Sequence, residues 1–268
     1  MKYVSKDTKY VLFADDDDFF EANALPKIKK FIIDNNYPEV IFSSIYEVVD
    51  TKCNDVCKLY DADQYPKKQV LNSFVWLHGN FYRYDFIAEH NITFKEDLVS
   101  HEDAYFNCTV LAHLHGNNIQ YAIYNDVFYN WVRRDKSLSN IPIDNHTYIE
   151  EYLCDYIYSS TEPMFDAVTI YPENYLYYRG QCMGTLVFSY FYYQFFIWSE
   201  GENIIKENMG YMRNLVYKII DVFGITKDSI INLVYNCPES YNEMKIDTFN
   251  MGYKFVETTS FRDFILKL

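Results

Sequence analysis

The sequence predicts an α/β fold: a mixed sheet with flanking helices, followed by a helical C-terminal part. Two patterns and one acidic cluster predict it. Over residues 1–145, short β-branched and aromatic runs alternate with amphipathic segments. Over residues 146–268 the apolar spacing is helical, with long aromatic-rich segments. Between the first run and the first helix stands Asp15-Asp16-Asp17-Asp18, at a strand end of the kind where α/β proteins bind ligands. No Gly/Ser-rich linker separates the two parts, so the first part is expected to pack on the second.

The elements follow in order. Tyr10-Val11-Leu12-Phe13-Ala14 reads as a buried strand. Asn23 is placed to cap a helix whose apolar face is Leu25, Ile28, Phe31 and Ile32. Asn35-Asn36-Tyr37-Pro38 ends it, and Val40-Ile41-Phe42 starts a strand that runs through Ile45 to Val49. Residues 50–68 are polar and read as a loop. Phe74, Trp76 and Phe81 follow, then Arg83-Tyr84-Asp85-Phe86-Ile87. Ser100 is placed to cap a helix over 101–113 with Tyr105, Cys108 and Ala112 on one side. Ile119, Tyr121 and Ile123 alternate as a strand does. Helices are expected over 148–159, 174–198, 203–223 and 227–236, punctuated by Gly201 and Gly224.

The bulk composition narrows the function. The 268 residues are 49% hydrophobic, enough for a sizeable core. A net charge of −14 argues against a nucleic-acid partner and against docking on anionic lipid. The 28 Tyr, 21 Phe and 3 Trp must largely fill core and grooves. Six scattered cysteines, with no Cys-x-x-Cys pair, read as free thiols of a reducing, cytoplasmic protein. No signal-peptide pattern opens the chain. The longest apolar stretch, Leu186–Trp198, has 13 residues and is too short to span a bilayer.

Two acidic groups carry the chemistry. Carboxylates spaced i and i+2 on a strand end point the same way and can hold a divalent cation together with phosphates. The same cluster suits a solvated turn or the charge at a helix start, so alone it leaves both readings open. His101-Glu102-Asp103 opens the later helix, and Ser100-x-x-Asp103 fits a capping box. A carboxylate fixed at a helix start also meets the positional need of a general base.

Together these segments resemble family 2 glycosyltransferases of the GT-A fold. Leu12-Phe13-Ala14-Asp15-Asp16-Asp17-Asp18-Phe19-Phe20, then Asn23-Ala24-Leu25, resembles their metal-binding strand end with its Asp-x-Asp. Gly79-Asn80-Phe81-Tyr82-Arg83-Tyr84-Asp85-Phe86-Ile87 resembles their small-residue turn and following helix. Asn91-Ile92-Thr93-Phe94, leading to Glu102-Asp103 and Phe106, resembles their acceptor-side helix. Tyr129-Asn130-Trp131-Val132-Arg133-Arg134-Asp135-Lys136-Ser137 resembles their strand-to-loop segment. The resemblance covers residues 10–140, about half the chain.

What the resemblance implies is inverting transfer of a sugar from a nucleotide-sugar donor to a hydroxyl of a glycan or polymer. Asp15 and Asp17 correspond to the metal and ribose contacts, with Mn²⁺ or Mg²⁺ neutralising the leaving diphosphate. Asp103 corresponds to the general base, and Asp17 and Asp103 are expected to face one cleft. Glu102, Arg133, Arg134 and Ser137 correspond to substrate contacts. So do Asp18, Trp76, His78, Gly79 and Asn80 on the donor side, where Asn80 replaces a lysine common in one branch. The family opens with a nucleotide-binding half bearing Pro-x-Tyr-Asn, whereas Met1 stands nine residues before the Tyr10 strand. That half is therefore expected to be absent. A complementing chain or residues 146–268 would then restore its contacts, or the chain would be a truncated remnant serving as a non-catalytic carbohydrate- or protein-binding module; a homo-oligomer is also open.

Overall fold

The computed structural model describes residues 4–5, 7–49, 56–60, 77–117, 119–133, 146–200, 203–236 and 261–268. The chain divides into two compact units, residues 1–98 with 102–143, and residues 99–101 with 144–268.

The first unit is a mixed sheet with flanking helices. Its elements are β1 (Tyr10–Val11), β2 (Phe19–Phe20), α1 (Ala24–Asp34), β3 (Val40–Val49), β4 (Val56–Tyr60), β5 (Phe81–Arg83), α2 (Tyr84–Glu89), α3 (Glu102–Gly116) and β6 (Tyr121–Arg133). The strand order is β1-β5-β3-β6-β2, with β4 also on β3. Among the described strands, β3 and β6 run parallel and the other pairs are antiparallel. Opposite Ser43 to Ile45, β6 advances from Tyr124 to Tyr129. This bulge lets Tyr129 re-enter the pairing next to the acidic turn.

The predicted strand Tyr10–Ala14 shortens to Tyr10–Val11 and lies half-buried at one end of the strand order. Its partner β5 has only three residues, so the ladder cannot run further. The two-residue alternation nevertheless continues through Phe13. Val11 and Phe13 join the cluster of Tyr82, Phe86 and Phe106, while Tyr10 and Leu12 join that of Ile41, Phe81 and Tyr129.

In α1, Asn23 stands at the cap position with φ +59° and no side-chain cap bond, so its role is conformational rather than the predicted one. Ala24 and Ile28 are buried and Leu25 is 62% exposed. Leu25 falls one position off the stripe that Ala24, Ile28 and Phe31 make. Leu25→Glu should therefore shift stability by less than about 0.5 kcal/mol. Ile28→Ala should cost about 2–5 kcal/mol in a urea titration.

The predicted loop 50–68 contains β4, paired with β3 from Ile45 to Val48. Residues 50–55 and 61–76 lie outside the described set, and with them Phe74 and Trp76. Ser100 does not stand at the predicted cap of α3. Its backbone N–H and that of Val99 each donate to Asp155 Oδ2 at 2.8 Å, and His101, with φ +59°, precedes the helix.

The second unit is helical: α4 (His146–Ile170), a 3₁₀ turn (Pro172–Asn174), α5 (Tyr175–Glu200), α6 (Asn203–Phe223), α7 (Lys227–Asn236) and α8 (Phe261–Lys267). Helix α4 passes through Pro163 and outruns its predicted end at 159. Gly224 takes φ +59° directly after α6, a left-handed C-terminal position that glycine fills at least cost. Helix α8 was not expected. Its Phe261 and Phe264 pack on Tyr190, and Arg213 Nε donates to the Leu268 carbonyl at 2.7 Å. Among the described residues, no helix is long and apolar enough to cross a membrane.

Candidate active site

The acidic run forms a turn pinned to β6. Asp18 N–H donates to the Asp15 carbonyl at 3.3 Å. The Tyr129 hydroxyl accepts from Asp15 N–H at 3.0 Å and donates to Asp18 Oδ2 at 2.5 Å. Val132 N–H donates to Asp18 Oδ1 at 2.8 Å. Both oxygens of Asp18 are thereby engaged. Burial raises its carboxyl above the ordinary range, opposed by these two bonds and by His78.

A second turn, residues 78–80, brings His78 to the same place. Gly79 takes φ +77° and packs closely: a Cβ there would meet Ile45 Cγ2 at 2.8 Å and Tyr129 Cβ at 3.1 Å. Ser43 Oγ donates to the Gly79 carbonyl at 2.5 Å, and Ser43 N–H to Asn80 Oδ1 at 3.3 Å. The His78 ring stacks on Tyr129 at 5.8 Å with 9° between planes. Its Nε2 lies 3.6 Å from Asp15 Oδ2. Its Nδ1 is buried without a hydrogen-bond partner among the described residues.

Ligand atoms of Asp15, Asp18 and His78 all lie within 4.8 Å of one another. Two carboxylates and an imidazole at that spacing fit a divalent cation that accepts mixed oxygen and nitrogen ligands. The imidazole favours Mn²⁺ over Mg²⁺, whose sites are built of oxygen.

Asp103 sits half-buried in the first turn of α3. Burial pushes its carboxyl up to about 6; the Ala104 N–H at 2.6 Å pulls the other way, Glu102 adds to the rise and His78 opposes it. His78 thus acts electrostatically on both Asp18 and Asp103. Beside this helix, Phe13, Phe94 and Phe106 pack ring to ring at 4.9–5.2 Å.

The remaining predicted residues divide. Asp17 is half-buried in the acidic turn and raises the Asp18 carboxyl. Glu102 is exposed. Gly79 and Asn80 are buried, and the Asn80 carboxamide is committed inward rather than to an open face. Arg133 ends β6; Trp76, Arg134 and Ser137 lie outside the described residues. Sequence reasoning missed Tyr129 as the anchor of the acidic turn. It left His78 as either facing the donor sugar or an ordinary loop histidine, not as a neighbour of Asp15. Neither role has a spacing signal, since both depend on pairing of distant strands.

No protein-family model matches the chain, and no curated protein matches it in sequence. Solved structures do. A crystal structure of S. aureus TarS 1–349 in complex with UDP-GlcNAc superposes with a TM-score of 0.57 and 15% identity. That match covers 94% of this chain and 74% of that one. A second crystal structure of the same fragment gives 0.53 and 14% identity, covering 97% and 75%. TarS is a glycosyltransferase, so this chain has a glycosyltransferase-like fold.

Proposed function

We propose that the protein is a metal-dependent, inverting glycosyltransferase of the GT-A type, resembling family 2, with a nucleotide sugar as donor. The convergence of His78 with Asp15 and Asp18 on this fold carries the reading. TarS bound to UDP-GlcNAc makes a uridine diphosphate sugar the first donor to try. Asp15, Asp18 and His78 would hold Mn²⁺ or Mg²⁺, with Asp17 beside them in the same turn, and the bonds that Asp18 accepts from Tyr129 and Val132 fix that turn. An ion held there would supply positive charge against the diphosphate.

Asp103 then takes the proton of the acceptor hydroxyl. The acceptor oxygen bonds to the anomeric carbon, the bond from that carbon to phosphate oxygen breaks, and the nucleoside diphosphate leaves. A single displacement from the opposite face inverts the anomeric centre. With its carboxyl near 6, Asp103 is ionised at neutral pH, as a base must be. The rate should therefore rise with pH through about 6, which a pH–rate profile measures.

Mn²⁺ with UDP-GlcNAc should raise the melting temperature; saturation at a hundredfold over Kd stabilises by about 2.7 kcal/mol. Asp15→Ala and His78→Ala should abolish that response. Equal responses in wild type and both variants would put the ligands elsewhere. A wild type without any response would favour the non-catalytic binding module.

A further inference from the structure

Beneath the site runs a chain of buried hydrogen bonds, all pointing one way. Ser43 N–H donates to Asn80 Oδ1 at 3.3 Å. The Asn80 side chain donates to the Tyr82 hydroxyl, and that hydroxyl donates to Asn107 Oδ1 at 2.8 Å. Ser43, Asn80, Tyr82 and Asn107 are 1%, 4%, 0% and 2% exposed, so water cannot replace any bond. Such a chain polarises along its length, and its cost if broken is correspondingly high.

Its two ends matter. Asn80 closes the turn whose first residue is His78. Asn107 lies one helical turn after Asp103, on the same face of α3. Tyr82 stands between them and is close enough to Asp103 for that carboxylate to raise the energy of an ionised phenol. Apolar side chains would serve stability here at less cost than four buried polar ones. A role in fixing geometry explains their presence.

We propose that Tyr82 and Asn107 are positioning residues that hold the His78 turn and the Asp103 helix in register through this chain. The inference rests on the metal-dependent reading above. Among the described residues the metal group is Asp15, Asp18 and His78, so it includes neither residue and none from α3. Loss of the chain at either link frees the Asn80 turn and displaces Asp103 relative to it.

The test is a Mn²⁺ titration of the whole chain followed by electron paramagnetic resonance, on wild type, Tyr82→Phe and Asn107→Leu. Both variants should bind Mn²⁺ about tenfold more weakly, the scale seen when groups behind metal ligands are removed. At saturating Mn²⁺, kcat should fall about tenfold or more while the donor KM stays, as a displaced base predicts. Ile87→Val is the control. It leaves a small cavity in the same apolar cluster, lowers the melting temperature and should leave both constants alone. Wild-type binding with equal affinity and kcat in both variants overturns the inference alone. Failure of the wild type to bind Mn²⁺ overturns the metal reading, and the inference with it.

Discussion

Asp103→Asn is expected to raise the melting temperature at pH 8 while stopping most turnover. The carboxyl titrates at about 6 in the fold against an ordinary 3.8. A group whose folded value is raised contributes stability that is full below 3.8 and lost as pH rises through 6. At pH 8 the buried charge therefore costs the fold, by at most ~3 kcal/mol. Asn carries no charge and can still accept the Ala104 N–H. Its advantage should be present at pH 8 and vanish near pH 4. Turnover should drop about 10²–10⁴-fold, the usual worth of a positioned base. Melting curves across pH, with initial rates, decide it. A variant no more stable at pH 8 than at pH 4, and still active, would reduce Asp103 to a helix-start residue.

Gly79→Ala should be the most damaging single-methyl change in the sheet unit. The left-handed backbone, φ +77°, costs a non-glycine residue about 1–2 kcal/mol. The new Cβ also meets Ile45 Cγ2 at 2.8 Å, Ser43 Oγ at 3.1 Å and Tyr129 Cβ at 3.1 Å, and overpacking of that kind costs about 1–3 kcal/mol more. Two of the three neighbours are central to the site: Ser43 holds the turn, and Tyr129 anchors Asp15 and Asp18. Stability and the Mn²⁺ response should therefore fail together. A urea titration with and without Mn²⁺ measures both. Gly180→Ala is the contrast, since its added Cβ meets nothing within 4 Å and alanine favours the helix.

The parts legible in the sequence were those with local causes. Val40–Val49 is a β-branched and aromatic run and forms β3 over that span. Helices 203–223 and 227–236 follow from apolar spacing and stop signals alone. What escaped depends on distant partners. Leu12–Ala14 is as apolar as Tyr10–Val11, but β5 is too short to pair with it. Ser100 suits a cap by composition, yet the helix starts at Glu102, and Asp155, 55 positions away, accepts both the Ser100 N–H and its hydroxyl. In the site, Asp15, Asp17 and Asp103 stand out as carboxylates at element ends. The anchoring by Tyr129, 111 positions from Asp18, is invisible until β6 bulges beside the acidic turn. Helix α8 is seven residues, too short for its period to be read with assurance.

The central claim is that one divalent ion binds between the acidic turn and His78. Anomalous scattering from a crystal soaked in Mn²⁺ and UDP tests it most directly. The account predicts a manganese peak within coordination distance of Asp15 and His78 Nε2, with the diphosphate on its open side. A peak away from both residues, or none at full saturation, would contradict it.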